Sequence, residues 1–166
     1  MVMTIQASRR TAWPLILLLF SAWILAGCGR IDTIPADPPQ TPETWLAIQP
    51  VVRIPVAGQE LILVQPSTSA IVFLLGFVAI GVGLYFLRIR DGQTSRGWWG
   101  VAQLLWGVGA LLAGVSYEAF SYQIKCAGRS ACVWTSGWEL AYLVLSVASI
   151  DAMVMAQAHS CAAGRL

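Results

Sequence analysis

The stretch SAIVFLLGFVAIGVGLYFL, residues 69–87, decides the fold of this chain. It carries no charged side chain, and as a helix rising about 1.5 Å per residue it would extend about 28 Å, close to the thickness of a bilayer core. Two further apolar runs, at residues 98–117 and 138–158, have similar lengths. In lipid a segment must satisfy its own backbone hydrogen bonds, which excludes isolated strands. The sequence therefore predicts an all-α membrane protein with three transmembrane helices.

The composition favours the same environment. Hydrophobic residues make up 57% of the chain and charged residues 11%, whereas soluble domains are about 25% charged. The formal net charge is only +2, which is too small to indicate a nucleic-acid partner. The predicted surroundings are therefore the lipid bilayer, without nucleic acid.

The N-terminal residues have the layout of a secretory signal. Arg9 and Arg10 precede a 15-residue apolar stretch at residues 12–26, which is too short to be a typical membrane span. The stretch ends in Leu25-Ala26-Gly27-Cys28. This tetrad resembles the lipobox of bacterial lipoproteins, and the resemblance implies cleavage after residue 27 and lipidation of Cys28. The alternative is an uncleaved segment, which would give the protein a fourth transmembrane helix.

Charge predicts the orientation of the helices. The short connection between the first two apolar runs contains Arg88, Arg90 and Arg96, and the positive-inside rule places such a loop in the cytoplasm. The N-terminus of the mature chain is then outside and the C-terminus inside. Together with the signal, this predicts a multi-pass protein of the bacterial cytoplasmic membrane.

The remaining segments complete the predicted organisation. Residues 28–44 contain four prolines and are expected to form an extended tether. Residues 45–68 are rich in Val, Ile and Leu and predict an external β-hairpin, turning at Ala57-Gly58-Gln59 and lying against the helix ends or against a partner. The order is then signal peptide (1–27), lipidated tether (28–44), hairpin segment (45–68), three-helix domain (69–158) and cytoplasmic tail (159–166).

Small residues recur on one face of each apolar run, a pattern that lets membrane helices approach closely. They are Gly76, Ala79 and Gly83 in the first run, Gly107, Ala110 and Gly114 in the second, and Ala148, Ala152 and Ala156 in the third. The three stripes predict a packed bundle, within this chain or with another subunit.

Asp151 is the most informative polar residue of the spans. It lies about 20 Å along the third helix, where an aspartate costs roughly 2.5–3.5 kcal/mol on insertion scales and indicates a function. Its spacing from Ala148 predicts that it faces protein, and Gln103 should lie at a similar depth. Three interpretations follow: an Asp151–Gln103 hydrogen bond between helices, a protonatable relay, or a contact with another subunit.

Four residues mark the external loop between the second and third helices. Glu118 and Glu139 lie at its two ends, either simply solvated or forming a polar mouth. Cys126 and Cys132 are predicted to form a structural disulfide, since they lie outside the cytoplasm and lack the Cys-x-x-Cys spacing of oxidoreductases. A single histidine, His159, argues against a zinc site.

No catalytic, nucleotide-binding or metal motif is present in the sequence. We therefore expect no enzyme activity and no cofactor. The first expectation is an accessory or assembly subunit that presents the hairpin and the disulfide loop to a membrane-protein partner or to a homo-oligomer. The alternatives are a transport or sensing module that uses Asp151 and the Glu118/Glu139 mouth, or the N-terminal part of a longer polytopic protein.

Overall fold

The structure is a computed structural model that describes residues 30–56 and 59–163. In chain order its elements are α1 Pro42–Ile48, β1 Val51–Val56, β2 Gln59–Val64, α2 Pro66–Arg88, α3 Thr94–Ala113, a π-helical segment Gly114–Ala119, α4 Ser121–Lys125 and α5 Gly137–Ala163. The predicted signal peptide with Cys28, the turn residues Ala57 and Gly58, and residues 164–166 of the tail lie outside the described residues.

The three long helices predicted from the apolar runs are confirmed. Pro66–Arg88, Thr94–Ala119 and Gly137–Ala162 are each long and apolar enough to cross a membrane. α3 packs against both α2 and α5, which makes α3 the central helix. We call the end of this bundle that carries β1, β2 and α4 the hairpin end, and the end that carries Arg88, Arg90 and Arg96 the arginine end.

Small residues line the helix contacts, as the stripes predict. The buried ones are Gly76, Ala79 and Gly83 on α2, Gly100, Ala102, Gly107 and Gly109 on α3, and Ala152 and Ala156 on α5. Ala110 and Ala148 are half-buried. The backbones of α2 and α3 approach so closely that a Cβ on Gly83 would lie 2.9 Å from the carbonyl oxygen of Gly100.

The predicted hairpin is confirmed, but it begins later and ends earlier than the expected residues 45–68, since residues 66–68 belong to α2. β1 and β2 pair antiparallel, from Val51 opposite Val64 to Val56 opposite Gln59. The expected first residues of the hairpin, Trp45 to Ile48, are helical instead. The cause is local, because Thr41 and Thr44 form a reciprocal capping box and Pro42 occupies the first turn of α1.

The start of α1 also carries a charge that suits a helix N-terminus. A backbone hydrogen bond, and then a hydrogen bond with Thr41, lower the pKa of the exposed Glu43 carboxyl. The carboxylate therefore keeps its negative charge close to the positive end of the helix dipole.

The Pro-rich segment does not form a free tether, which corrects the expectation for residues 28–44. Its extended backbone pairs with the disulfide loop: Ala36 N–H donates to the Cys132 carbonyl at 3.0 Å, and Trp134 N–H donates to the Ile34 carbonyl at 2.8 Å. Cys132 N–H in turn donates to the Gln40 carbonyl at 2.8 Å. Extended backbone offers the unpaired donors and acceptors that a loop about a hundred residues later can use.

The hairpin is seated on the bundle through one face of β2. Ile62 and Val64 are buried there, and the side-chain amide of Gln123 in α4 donates to the Ile62 carbonyl at 2.9 Å. The Ser69 hydroxyl in the first turn of α2 donates to the Val64 carbonyl at 3.0 Å. Only Gln65, at a left-handed φ of 44°, separates β2 from α2, so the hairpin is fixed directly to the end of the bundle.

Candidate functional site

A buried ion pair lies at the hairpin end between α4 and α5. Glu139, in the first turn of α5, is 1% exposed, and the Nζ atom of Lys125 lies 2.5 Å from its Oε1 atom. Lys125 also donates to the Trp134 carbonyl at 3.2 Å and lies 4.8 Å from the centre of the Tyr117 ring. The ammonium group of Lys125 therefore has an anionic, a carbonyl and an aromatic neighbour, and the Trp134 carbonyl accepts a hydrogen bond from it.

Glu139 is less completely satisfied than Lys125. Neither carboxylate oxygen receives an aligned hydrogen bond from the described residues, so the contact with Lys125 is an ion pair without good hydrogen-bond geometry. The backbone N–H of Glu139 donates to the Ser136 carbonyl at 3.1 Å, and the position in the first turn of α5 places the carboxylate near the positive end of the helix dipole. Lys125 and the dipole of α5 therefore offset the desolvation cost of burying the Glu139 carboxylate.

A cavity of about 300 Å³ lies against this ion pair. Its walls come from the Pro-rich segment, from α1 and from the disulfide loop. The polar and aromatic residues that line it include Asp37, Gln40, Trp45, Tyr117 and Trp134. The sequence indicated Glu139 near this place. It gave no sign that the Pro-rich segment and Trp45 would close over it.

Glu118 does not share that cavity with Glu139, so the structure does not form the single polar mouth that the sequence suggested. Glu118 is half-buried and lines a separate depression with Val72 and Tyr142. Tyr117 borders both spaces and packs edge-on against Tyr142, with ring centres 5.8 Å apart. The two carboxylates are therefore in different environments.

The disulfide between Cys126 and Cys132 is confirmed, and both residues are buried. It closes the loop whose backbone holds the Pro-rich segment. The remaining cysteine of the described residues, Cys161, is an exposed free thiol.

Replacing Cys126 and Cys132 together by serine is expected to lower the free energy of unfolding by about 2 kcal/mol, because a crosslink across so short a loop restricts the unfolded chain only moderately. Thermal unfolding in detergent, with and without reductant, checks the value. The Cys161→Ser variant is the matched control and should behave like the wild type. An equal effect of reductant on the wild type and on the double variant would contradict this prediction.

Asp151 lies on the outward face of α5, so it does not face the other helices of this chain, as one form of the expectation required. Its side chain is exposed, and so are Val147, Ile150 and Val154 around it. Gln103 is half-buried on α3, and no hydrogen bond joins it to Asp151 among the described residues. The predicted Asp151–Gln103 bond is therefore not formed.

The bond that does join the helices at this level uses Ser149. Its hydroxyl donates to the Ala102 carbonyl at 3.0 Å, and Ser149 is fully buried. Because Ala102 and Gln103 are adjacent, Asp151 and Gln103 do lie at similar heights, as predicted. The sequence offered no separate indication of Ser149, although this residue lies one turn before Ala152 on the face that Ala152 and Ala156 share.

Comparison of the chain with protein-family models, with curated proteins and with solved structures gives no match.

Proposed function

We propose that this chain is a non-enzymatic accessory or assembly subunit of a larger assembly in the bacterial cytoplasmic membrane. In this proposal the hairpin end is outside, the arginine end is in the cytoplasm, and Cys28 is a lipidation site. Support comes from three helices of spanning length and from Arg88, Arg90 and Arg96 at one end of the bundle.

The outward face of the hairpin carries the proposal. Paired residues of an antiparallel ladder share a face, so Val52 and Leu63 point the same way, as do Ile54 and Leu61, while Val56 extends the row. Val52 is 45% exposed and Val56 is 50% exposed. Five of the six residues of this face are apolar, and the sixth is Gln59, which pairs with Val56. An apolar patch outside the bundle favours a protein contact.

The opposite face of the same hairpin differs from the outward face in its side chains. It carries Ile62 and Val64, which are buried against the bundle, and the exposed ion pair of Arg53 with Glu60 at 3.1 Å. The hairpin thus places its charged pair on the face that turns toward the bundle and apolar side chains on the face that turns away. That arrangement favours a partner seated on the outward face.

A transport path through this chain alone has less support. Glu139 is buried at the hairpin end, whereas Asp151 is exposed on the outward face of α5, about 18 Å farther along the helix. Glu118 lines a separate depression. The described residues therefore provide no continuous row of polar groups between the two ends.

The proposal is tested by the size and composition of the native complex. We expect the wild type, extracted from its own membrane in mild detergent, to migrate as a complex containing other subunits. The double variant Val52→Asn, Ile54→Asn should weaken that complex at least tenfold, because two apolar side chains of the interface each lose about 1–2 kcal/mol of burial. Native electrophoresis with mass spectrometry of the bands is the measurement.

The control is Arg53→Gln, which changes the opposite face of the same strand. It should leave the complex intact. A wild type that migrates as a single chain, or a control as disruptive as the double variant, would show that the outward face is not a subunit contact.

A further inference from the structure

Asp151 presents a carboxyl group to the surroundings of the bundle near the middle of its longest helix. Along the helix axis, Asp151 lies about 21 Å from Gly137, the first residue of α5, and about 18 Å from Ala163, the last. An aspartate side chain is too short to reach either end from there. In a bilayer this position is near the midplane, where polar side chains are rare and have partners.

No partner for Asp151 exists within the described residues. Its neighbours on the same face are exposed and apolar: Val147, Ile150, Val154 and Met155. The Ser149 hydroxyl is buried against Ala102 on the other side of the helix, and Gln103, at a similar height on α3, forms no hydrogen bond with Asp151 among the described residues. The carboxyl group is therefore an isolated acceptor on an otherwise hydrocarbon-like surface.

The described helices of a second copy of this chain do not offer a matching cation at the same depth. In the described parts of the three long helices, the basic residues are Arg88 and Arg96 at the arginine end, apart from His159 near the end of α5. Arg96 precedes Gln103, which is level with Asp151, by seven residues, or about 10 Å along the helix axis. Two copies facing each other through α5 would instead bring two carboxyl groups together, which is unfavourable when both are charged.

We infer that the Asp151 face of α5 binds a transmembrane helix of another protein that carries a lysine or an arginine near the bilayer midplane. This inference rests on the proposed function and specifies which side chain the partner subunit must carry. Charge complementarity is the argument: a carboxylate surrounded by apolar side chains discriminates strongly between a helix that offers a cation and one that does not. The apolar neighbours then supply the packing surface, and Asp151 supplies the selectivity and the register.

The test uses the full chain in lipid nanodiscs and two synthetic probe helices. Both probes are polyleucine helices with a dansyl group at one end. One has a single lysine at its centre and the other has leucine there. Energy transfer from the tryptophans of the chain to dansyl measures association.

We expect the lysine helix to associate about three- to twentyfold more strongly than the leucine helix, which is the range for interhelical polar contacts in membranes. Asp151→Leu should abolish this preference, and Asp151→Asn should retain only part of it. Gln157→Leu removes another exposed polar side chain of α5 and is the matched control. It should keep the preference. All variants should unfold like the wild type, because these side chains face outward.

Two results would overturn the inference. One is an equal affinity of the wild type for both helices, or a preference that Asp151→Leu retains. The other is a loss of self-association of the chain alone in Asp151→Leu, which would assign the face to a second copy. The probes have no part outside the membrane, so the outcome is independent of the hairpin. If the probe preference is missing while the Val52/Ile54 variant still disrupts the native complex, the inference fails and the proposed function stands.

Discussion

Gly83→Val is expected to lower the free energy of unfolding by about 3 kcal/mol, the upper part of the range for overpacking a tight interface. A Cβ at this position would lie 2.9 Å from the Gly100 carbonyl oxygen and 2.9 Å from the Leu104 backbone nitrogen. Both atoms belong to the backbone of α3, so no side-chain rotation relieves the contact. The two helices must separate, and the neighbouring close contacts, such as Gly76 with Gly107, are lost with them.

Gly81→Val provides the matched control, since it makes the same substitution two residues earlier in the same helix. A Cβ on Gly81 meets nothing within 4 Å. The two variants have the same change in helix propensity and differ only in whether the new side chain contacts the backbone of α3. Unfolding by denaturant in detergent micelles, followed by circular dichroism, compares them. Equal losses for the two variants would mean that the α2–α3 contact does not control stability.

The features that sequence analysis predicted are the ones that depend on a single helix. Residues 69–87 became α2 because only a helix satisfies so long an apolar backbone without water. Gly76 and Gly83 became its buried face because small residues at helical spacing let another backbone approach. These properties are local, and they need no knowledge of which helix lies opposite.

The features that sequence analysis missed depend on contacts between distant parts of the chain. Four prolines predict an extended segment at residues 28–44, but residues 30–33 form a turn and residues 42–44 belong to α1. The pairing of the part between them with Cys132 and Trp134 depends on a loop about a hundred residues away, which the proline content does not indicate. The same holds for Trp45, whose place on the cavity wall follows from the capping of α1.

Asp151 turns away from the other helices of this chain for a geometric reason. The expectation that it faces protein was based on its distance of three residues from Ala148, which is only half-buried at the edge of the contact. The centre of the buried face is set by Ser149, Ala152 and Ala156. At 100° per residue, Asp151 is about 200° from Ser149, about 100° from Ala152 and about 140° from Ala156. A helical wheel centred on Ser149, Ala152 and Ala156 places Asp151 about 130° from the centre of the buried face.

Lys125→Met is expected to have the largest effect of all the substitutions considered, with a loss of about 3–5 kcal/mol in the free energy of unfolding. It leaves the Glu139 carboxylate buried without its only cation, and neither oxygen has an aligned hydrogen-bond donor among the described residues to compensate. The Tyr117 ring and the Trp134 carbonyl also lose the ammonium group that they contact.

The double variant Lys125→Met, Glu139→Met separates the cost of an unpaired charge from the loss of an attractive contact. Replacing a whole buried ion pair by apolar residues of similar volume is often neutral, so the double variant should be more stable than Lys125→Met alone. The pair Arg53–Glu60 is the internal control, because its side chains are 55% and 53% exposed. Arg53→Met should cost at most about 1 kcal/mol. Equilibrium unfolding of the three variants and the wild type gives the comparison. If the double variant is as unstable as Lys125→Met, the loss comes from the contacts of the ammonium group with the Tyr117 ring and the Trp134 carbonyl and not from the unpaired carboxylate.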